Sequence, residues 1–229
     1  MDAELRIISS MATRALLAEL AAAYPQQGGC RVDLEAVGGV DAARRVRAGE
    51  VFDAVVLAAK AIDELVAAGR IVAGSRVDLV RSGVAVAVRA GARRPDIGSE
   101  DALRRAVLAA PTLAYSTGPS GVHLQAVFER WGIAAEIAPR IVQAPPGVPV
   151  GTLVADGRVA LGFQQLSELM HLPGIEVIGA LPPEVQIITT FSGGVAATCR
   201  RPEAAAALLL WLAGPAAAGA RARNGMEAA

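Results

Sequence analysis

Leu5-Arg6-Ile7-Ile8-Ser9-Ser10-Met11-Ala12-Thr13 is the stretch on which the fold turns. Leu5 to Ile8 is a short apolar run of buried-strand character, and the hydroxyl-rich residues 9–13 hand it over to a helix. Leu16, Leu17, Leu20 and Tyr24 share one helical face, and Pro25 with Gly28-Gly29 stops the helix. The unit then recurs. Val32, Leu34 and Ala36 alternate as a second strand ending at Gly38-Gly39, and Asp41 is placed to cap a helix through Ala48, with Gly49 just past its end. Ala54-Val55-Val56-Leu57 reads as a third strand, followed by a helix bearing Ile62, Leu65 and Val66 and closed by Gly69.

Further along, residues 84–88 and 112–115 read as strands, with Ser99 capping the helix between them. Ser120 opens a helix carrying Leu124, Val127, Phe128 and Trp131. Residues 137–142 and 159–163 read as strands around a short helix at Leu153 and Val154, and residues 164–170 as another helix. Residues 175–178, 186–190 and 194–198 read as strands, and Pro202 suits the first turn of a last helix through Leu212. Such alternation means α/β architecture, with parallel sheets covered by helices on both faces. The 229 residues suffice for two lobes. A single long sheet is one reading, and the interruptions at residues 89–97 and 180–183 fit two smaller lobes at least as well.

Composition narrows the function. Apolar residues make up 53% and charged ones 19%, which fits a packed protein rather than a disordered one. The 22 basic and 22 acidic side chains balance, so no general nucleic-acid partner is expected. Lys60 is the only lysine, and its alanine-rich surroundings fit neither a phosphate loop nor Schiff-base chemistry. Cys30 and Cys199 lack ligand spacing, so no metal is expected; they read as two separate thiols, or as one disulfide if the chain is exported. No run is long enough for a membrane span. The acidic start Met1-Asp2-Ala3-Glu4 carries no export signal; the protein is expected to be periplasmic if a signal has been removed and cytoplasmic otherwise.

In open α/β sheets, ligands bind beyond the carboxyl ends of the strands. Ser9, Ser10 and Met11 occupy the first such loop, where helix N–H groups and hydroxyls can hold an anion without a cation; ordinary capping by Ser10 or Thr13 is the plain alternative. Gly38 and Gly39 repeat the arrangement, or only make a tight turn. The loop Ser116-Thr117-Gly118-Pro119-Ser120-Gly121-Val122-His123 is the richest in the chain, yet matches neither a hydrolase elbow nor a dinucleotide fingerprint. His123 faces whatever that loop binds, though a lone histidine is more often a surface or supporting residue. Residues 144–151 contribute Val148. Gln164-Gln165 set two amides at a strand end, suited to oxygens or to a solvated helix start. Arg44, Arg45 and Arg47 read as a solvated face.

Residues 5–12, together with Arg47-Ala48-Gly49-Glu50-Val51-Phe52-Asp53-Ala54-Val55, resemble the opening lobe of type II periplasmic binding proteins of the molybdate-binding class. Val154-Ala155-Asp156-Gly157-Arg158-Val159-Ala160-Leu161-Gly162 is similar to a later segment of that class, and residues 202–226 to its closing helices. The resemblance implies two Rossmann-like lobes, residues 1–82 plus 190–229 and residues 83–189, with a ligand cleft between them. It departs from the molybdate site: the class's two ligand serines fall at Ala12 and Gly39, its ligand tyrosine at Gln165 and the aspartate after it at Glu168. Residues 162–169 and 179–184 look like a divergent branch that includes aconitate isomerase-like proteins, which implies an organic polycarboxylate at least as readily as an oxyanion.

The leading expectation is a solute-binding protein that holds a small anion in the cleft, without a cofactor, and delivers it to an ABC-transporter permease if exported. The expected ligand contacts in one lobe are Ser9, Ser10, Met11, Gly38 and Gly39. Those in the other are Ser120, Gly121, Val122, His123, Val148 and Gln165. The alternative is an isomerase moving an allylic proton, with His123 as its base and Glu168 as a poor second. A sensor reporting a metabolite to a partner is a third reading, for which no residue speaks directly.

Overall fold

The computed structural model describes residues 4–144 and 147–229. Residues 1–3, and Pro145 and Pro146 in the loop expected over 144–151, lie outside the described residues. Glu4–Ser10 forms β1, and a 3-10 turn over Met11–Thr13 leads into α1 (Arg14–Ala23). Apolar side chains of β1 are buried on both of its sides. Leu5 and Ile7 pack with Leu16, Leu17, Leu20 and Leu209, while Ile8 packs with Val46, Phe52 and Ile62. Gly28, at φ +84°, ends the turn after α1, where a side chain would be strained.

β2 (Arg31–Val37), α2 (Gly39–Arg47), β3 (Ala54–Ala58) and α3 (Ala59–Ala67) follow. Here strand passes to helix through one residue, Gly38 at φ −55°, ψ 134° and Ala58 at φ −54°, ψ 139°. Asp41 is therefore not the cap of α2 but a first-turn residue paired with Arg44. The arginines 44, 45 and 47 all meet acids, Arg45 reaching both Glu35 and Glu50. Arg6 joins that network and stacks 4.6 Å from the Phe52 ring centre.

The remaining elements are β4 (Val77–Arg89), α4 (Glu100–Ala109), β5 (Leu113–Tyr115), α5 (Pro119–Arg130), α6 (Ala134–Ile137), α7 (Val150–Ala155), β6 (Leu161–Gln165), α8 (Leu166–Leu169), β7 (Ile175–Ala180), β8 (Ile188–Val195), α9 (Pro202–Ala213), α10 (Ala218–Arg223) and β9 (Glu227–Ala228). Ser99 caps α4 as expected, its Oγ accepting from the Ala102 N–H at 3.2 Å.

Four expectations are corrected. Residues 137–142 are not a strand: Pro139 sits in a 3-10 turn, and only Ile141 bridges to Leu113. The strand expected over 159–163 is β6, two residues later, which shortens the following helix to α8. The strands expected over 186–190 and 194–198 are the single β8; Gly193 and Gly194 do not break it but admit Leu209 and Ile71, whose methyls lie 2.4 and 2.5 Å from where a Cβ would stand. The sheets are mixed rather than parallel.

The chain divides into two compact units, Met1–Ser82 with Thr189–Ala229, and Gly83–Ile188. In the first, β1 runs parallel to β2 and β3, β8 is antiparallel to β3, and the opening of β4 pairs with β9. In the second, β6 is parallel to β5, and the later part of β4 is antiparallel to both β6 and β7. There the Gln186 amide holds both backbone groups of Val84, accepting its N–H at 2.9 Å and donating to its carbonyl at 3.0 Å. Each unit has its own apolar core, around Leu5, Ile7 and Leu209 in one and Val86, Phe128 and Phe163 in the other.

Candidate functional site

In the first unit the expected contacts gather at the carboxyl ends of β1 and β2. Ser9 and Ser10 end β1 in register with Ala36 and Val37, which brings Gly38 and Gly39 beside them. A Cβ at Gly39 would stand 3.6 Å from the Ser10 Cβ. The N-terminus of α2, with first-turn N–H groups that no helix bond satisfies, therefore opens next to Ser10. Ser10 and Thr13 hold the cap positions of the 3-10 turn and of α1, but neither side chain makes a cap hydrogen bond. Ser9 and Thr13 turn their hydroxyls onto the Ser10 carbonyl, at 3.3 and 3.2 Å. The Ser10 hydroxyl is buried, with the residue 6% exposed, and no group among the described residues bonds it. A buried hydroxyl without a partner is uncommon because its desolvation is uncompensated. Met11 is half-buried at the same turn, whereas Ala12, where the molybdate-class resemblance put a ligand serine, packs into the core.

In the second unit the loop after β5 is closed on itself. Gly118, not Ser120, is the cap residue of α5, and Pro119 takes its first position. The buried Ser120 hydroxyl lies 2.8 Å from that of Ser116. Gly121 is required there, because a Cβ would fall 1.6 Å from the Ser116 carbonyl oxygen. Val122, expected as a contact, is 62% exposed, and its N–H bonds the Gly118 carbonyl at 3.1 Å. His123 is half-buried, and its Nε2 sits 2.9 Å from the Val185 carbonyl. A carbonyl only accepts, so Nε2 carries the hydrogen and the neutral ring keeps its lone pair on Nδ1. Val148 packs part-buried beside Val150 and Leu153.

The end of β6 holds the densest polar cluster of this unit. Gln164 and Gln165 are each 4% exposed, so the solvated helix start is not what the structure has. Gln165 is the single residue turning β6 into α8, at φ −55°, ψ 136°, close to the values at Gly38 and Ala58. The Gln164 amide accepts the Val150 N–H at 2.9 Å and donates to Glu168 at 2.6 Å. Burial pushes the Glu168 carboxyl up to about 7 despite that donor. The Ser167 hydroxyl, like that of Ser10, is buried and unbonded.

Sequence reasoning missed Ser116, although it lay in a loop already singled out, and Ser167, which falls inside the helix expected over 164–170. No group of His, Cys, Asp and Glu side chains among the described residues could hold a metal ion. Among those residues no single helix is long and apolar enough to cross a membrane.

Two α/β units exchanged by the chain at residues 82–83 and 188–189, with hydroxyl- and glycine-bearing loops at their strand ends, define the fold of type II periplasmic binding proteins. The chain belongs to the bacterial extracellular solute-binding protein family, whose sequence profile matches residues 5–227. It is 38% identical to an aconitate isomerase from a Pseudomonas species, over 97% of this chain and 87% of that protein. Among solved structures it is similar to the periplasmic molybdate-binding protein of Azotobacter vinelandii, with a TM-score of 0.81 at 19% identity over 97% of this chain and 98% of that one. It is also similar to the sulfate-binding protein of Mycobacterium tuberculosis, with a TM-score of 0.76 at 16% identity over 97% and 86% of the two chains. At those identities the two structures speak to the fold alone.

Proposed function

We propose that this protein binds a small polyanion, an organic polycarboxylate before an oxyanion, through hydroxyls and helix N–H groups at its strand ends. The observation that carries this reading is the buried, unpartnered Ser10 hydroxyl beside the opening of α2. Backbone N–H groups and a hydroxyl suit an anion that must be released again, because they bind charge without a counter-charge. The relationship to an aconitate isomerase supports the carboxylate class. Family membership supports export and delivery to a transporter's permease. The ligand contacts proposed are Ser9, Ser10, Met11, Gly38 and Gly39 of the first unit. Those of the second are Ser120, Gly121, Val122, His123, Val148 and Gln165. Val122 and Val148 would act through shape alone.

A thermal-shift screen of molybdate, sulfate, citrate, tricarballylate and trans-aconitate tests the reading, since a ligand that binds only the folded state raises Tm. A tricarboxylate is expected to give the largest shift, and Ser10→Ala to weaken its Kd about 10- to 100-fold, the loss of one hydrogen bond to a charged group. No shift with any of the five would overturn it.

A second reading is isomerisation, favoured by the 38% identity and by the free Nδ1 of His123. A base would take a proton from the methylene carbon of cis-aconitate, the double bond would shift, and the proton would return at the far carbon of the allylic system. His123→Gln is then expected to lower turnover about 10²- to 10⁴-fold with little loss of affinity. Saturable binding without turnover by the unaltered protein excludes this second reading.

A further inference from the structure

We propose that Glu168 takes up a proton when a polyanion occupies this protein, so that binding is coupled to pH through one carboxyl at the end of β6. The inference rests on the anion-binding reading above. Its basis is a cluster rather than a lone acid: Gln164, Gln165 and Ser167 are buried around Glu168, and the Ser167 hydroxyl has no partner. Gln164 is fixed at both ends, by the Val150 N–H and by the Glu168 carboxyl. The carboxyl is thereby held in place by a neutral amide and not by a cation.

The elements packed against α8 supply no counter-charge. β6 and α7 carry no ionisable side chain, and the only one on β7 is Glu176, which is engaged by Arg94. Beyond Gly83, β4 offers only Arg89, at its far end, and His171 follows α8 exposed to solvent. Burial and the Gln164 amide are accordingly the influences that act on Glu168, and its carboxyl stands near 7. A carboxyl poised there has a state that a nearby charge can change. Ligand carboxylates arriving close to Gln165, one helical turn away, would favour the protonated form by like-charge repulsion. Proton uptake follows by linkage. A carboxyl already neutralised by arginine, such as Glu35, could not respond in this way near neutral pH.

Calorimetric titration with tricarballylate, which lacks the double bond and cannot isomerise, counts the protons. Binding is measured at pH 7 in buffers of differing ionisation enthalpy, for the unaltered protein, Glu168→Gln and Glu168→Asp. The expected result is uptake of about 0.3–0.5 proton per ligand in the unaltered protein, falling toward zero at pH 5 where Glu168 is already protonated. Glu168→Gln should bind with the uptake abolished, and Glu168→Asp should retain part of it. A merely structural role would change affinity and leave the proton count alone. Equal uptake by the unaltered protein and Glu168→Gln, or none by the unaltered protein, overturns the inference while leaving the binding reading intact. Should Glu168→Gln not fold, the unaltered protein and Glu168→Asp decide it by the same count. Failure of every variant to bind tricarballylate, citrate, molybdate or sulfate overturns the binding reading, and this inference with it.

Discussion

The loops that follow β1 and β5 treat their hydroxyls in opposite ways. At the end of β1, Ser9 and Thr13 spend their hydroxyls on the Ser10 carbonyl, and the Ser10 hydroxyl is left without a partner next to an uncrowded helix start. In the second unit, hydroxyl meets hydroxyl at Ser116 and Ser120, imidazole meets carbonyl at His123, and amide meets carboxyl at Gln164 and Glu168. The first arrangement offers an unused hydroxyl, with Asp41 of the α2 first turn tied to Arg44; the second is satisfied within itself except at Ser167 and includes a carboxyl near 7. Similar sequence ingredients, hydroxyls and glycines at a helix start, thus yield an unpartnered hydroxyl in one place and a hydroxyl pair in the other. What separates them is backbone spacing. Gly39 has room for a Cβ, with its nearest contact at an ordinary 3.6 Å, whereas Gly121 has none.

That spacing gives the largest expected effect. Gly121→Ala would drive a methyl to 1.6 Å from the Ser116 carbonyl oxygen, which no rotamer relieves because the obstacle is backbone. The loop or α5 must move, and a destabilisation above about 4 kcal/mol is expected, beyond the usual range for point changes. Gly39→Ala should change stability by less than about 1 kcal/mol, since it adds a good helix former at a position with ordinary contacts. Urea denaturation of both variants measures the contrast. Equal costs would mean that the two helix starts are alike and that the comparison fails.

Glu168 sharpens the comparison through pH. Its carboxyl lies higher in the folded protein than its ordinary 4.5, so the folded state holds the proton more tightly than the unfolded one. The resulting stability is fully present below about 4.5 and is lost as pH rises through about 7. The difference of roughly 2.5 pH units corresponds to about 3 kcal/mol at most, and partial exposure of the side chain trims it toward 2. Glu168→Gln has no such slope, so its stability relative to the unaltered protein should climb by about 2–3 kcal/mol between pH 4.5 and 8. Carboxyls held low by arginines or hydroxyls, such as Glu35 and Asp78, lose their contribution as pH falls, but they are common to both proteins and cancel. A flat difference curve would show that Glu168 is solvated like any surface acid.

Much of this was legible in the chain because it was written in periodicity. Leu16, Leu17 and Leu20 announced α1, and the Ser99 hydroxyl announced the start of α4. The misreadings share one cause, in that local signals were overruled by distant contacts. Residues 186–190 and 194–198 look like separate strands until Leu209 and Ile71, remote in sequence, are seen to take the space beside Gly193 and Gly194. Asp41 looks like a cap until Gly38 makes the turn in one residue. The candidate loops were found from hydroxyls and glycines at strand ends, yet no local rule could say which hydroxyl would lack a partner. Ser10 and Ser120 sit in comparable contexts, and only the position of Ser116 tells them apart. Ser167 was invisible for the same reason, because its burial depends on how a helix of four residues packs.

The smallest effect is the most direct test of the unpartnered hydroxyls, because its sign matters more than its size. Removing a hydroxyl that already has a partner leaves that partner unpaired and destabilises; removing one without a partner relieves an uncompensated desolvation and stabilises. Ser10→Ala and Ser167→Ala should each stabilise the ligand-free protein by roughly 1 kcal/mol. Ser116→Ala strips Ser120 of its bond and should destabilise by about the same amount. For a chain of this length these are opposite Tm shifts of about 2–4 °C, readable by calorimetry. Saturating ligand should then reverse the order for Ser10→Ala, since the unaltered protein gains a hydrogen bond that the variant cannot make. If ligand-free Ser10→Ala instead melts lower, as Ser116→Ala does, the Ser10 hydroxyl is already bonded, and the contrast between the two units disappears with it.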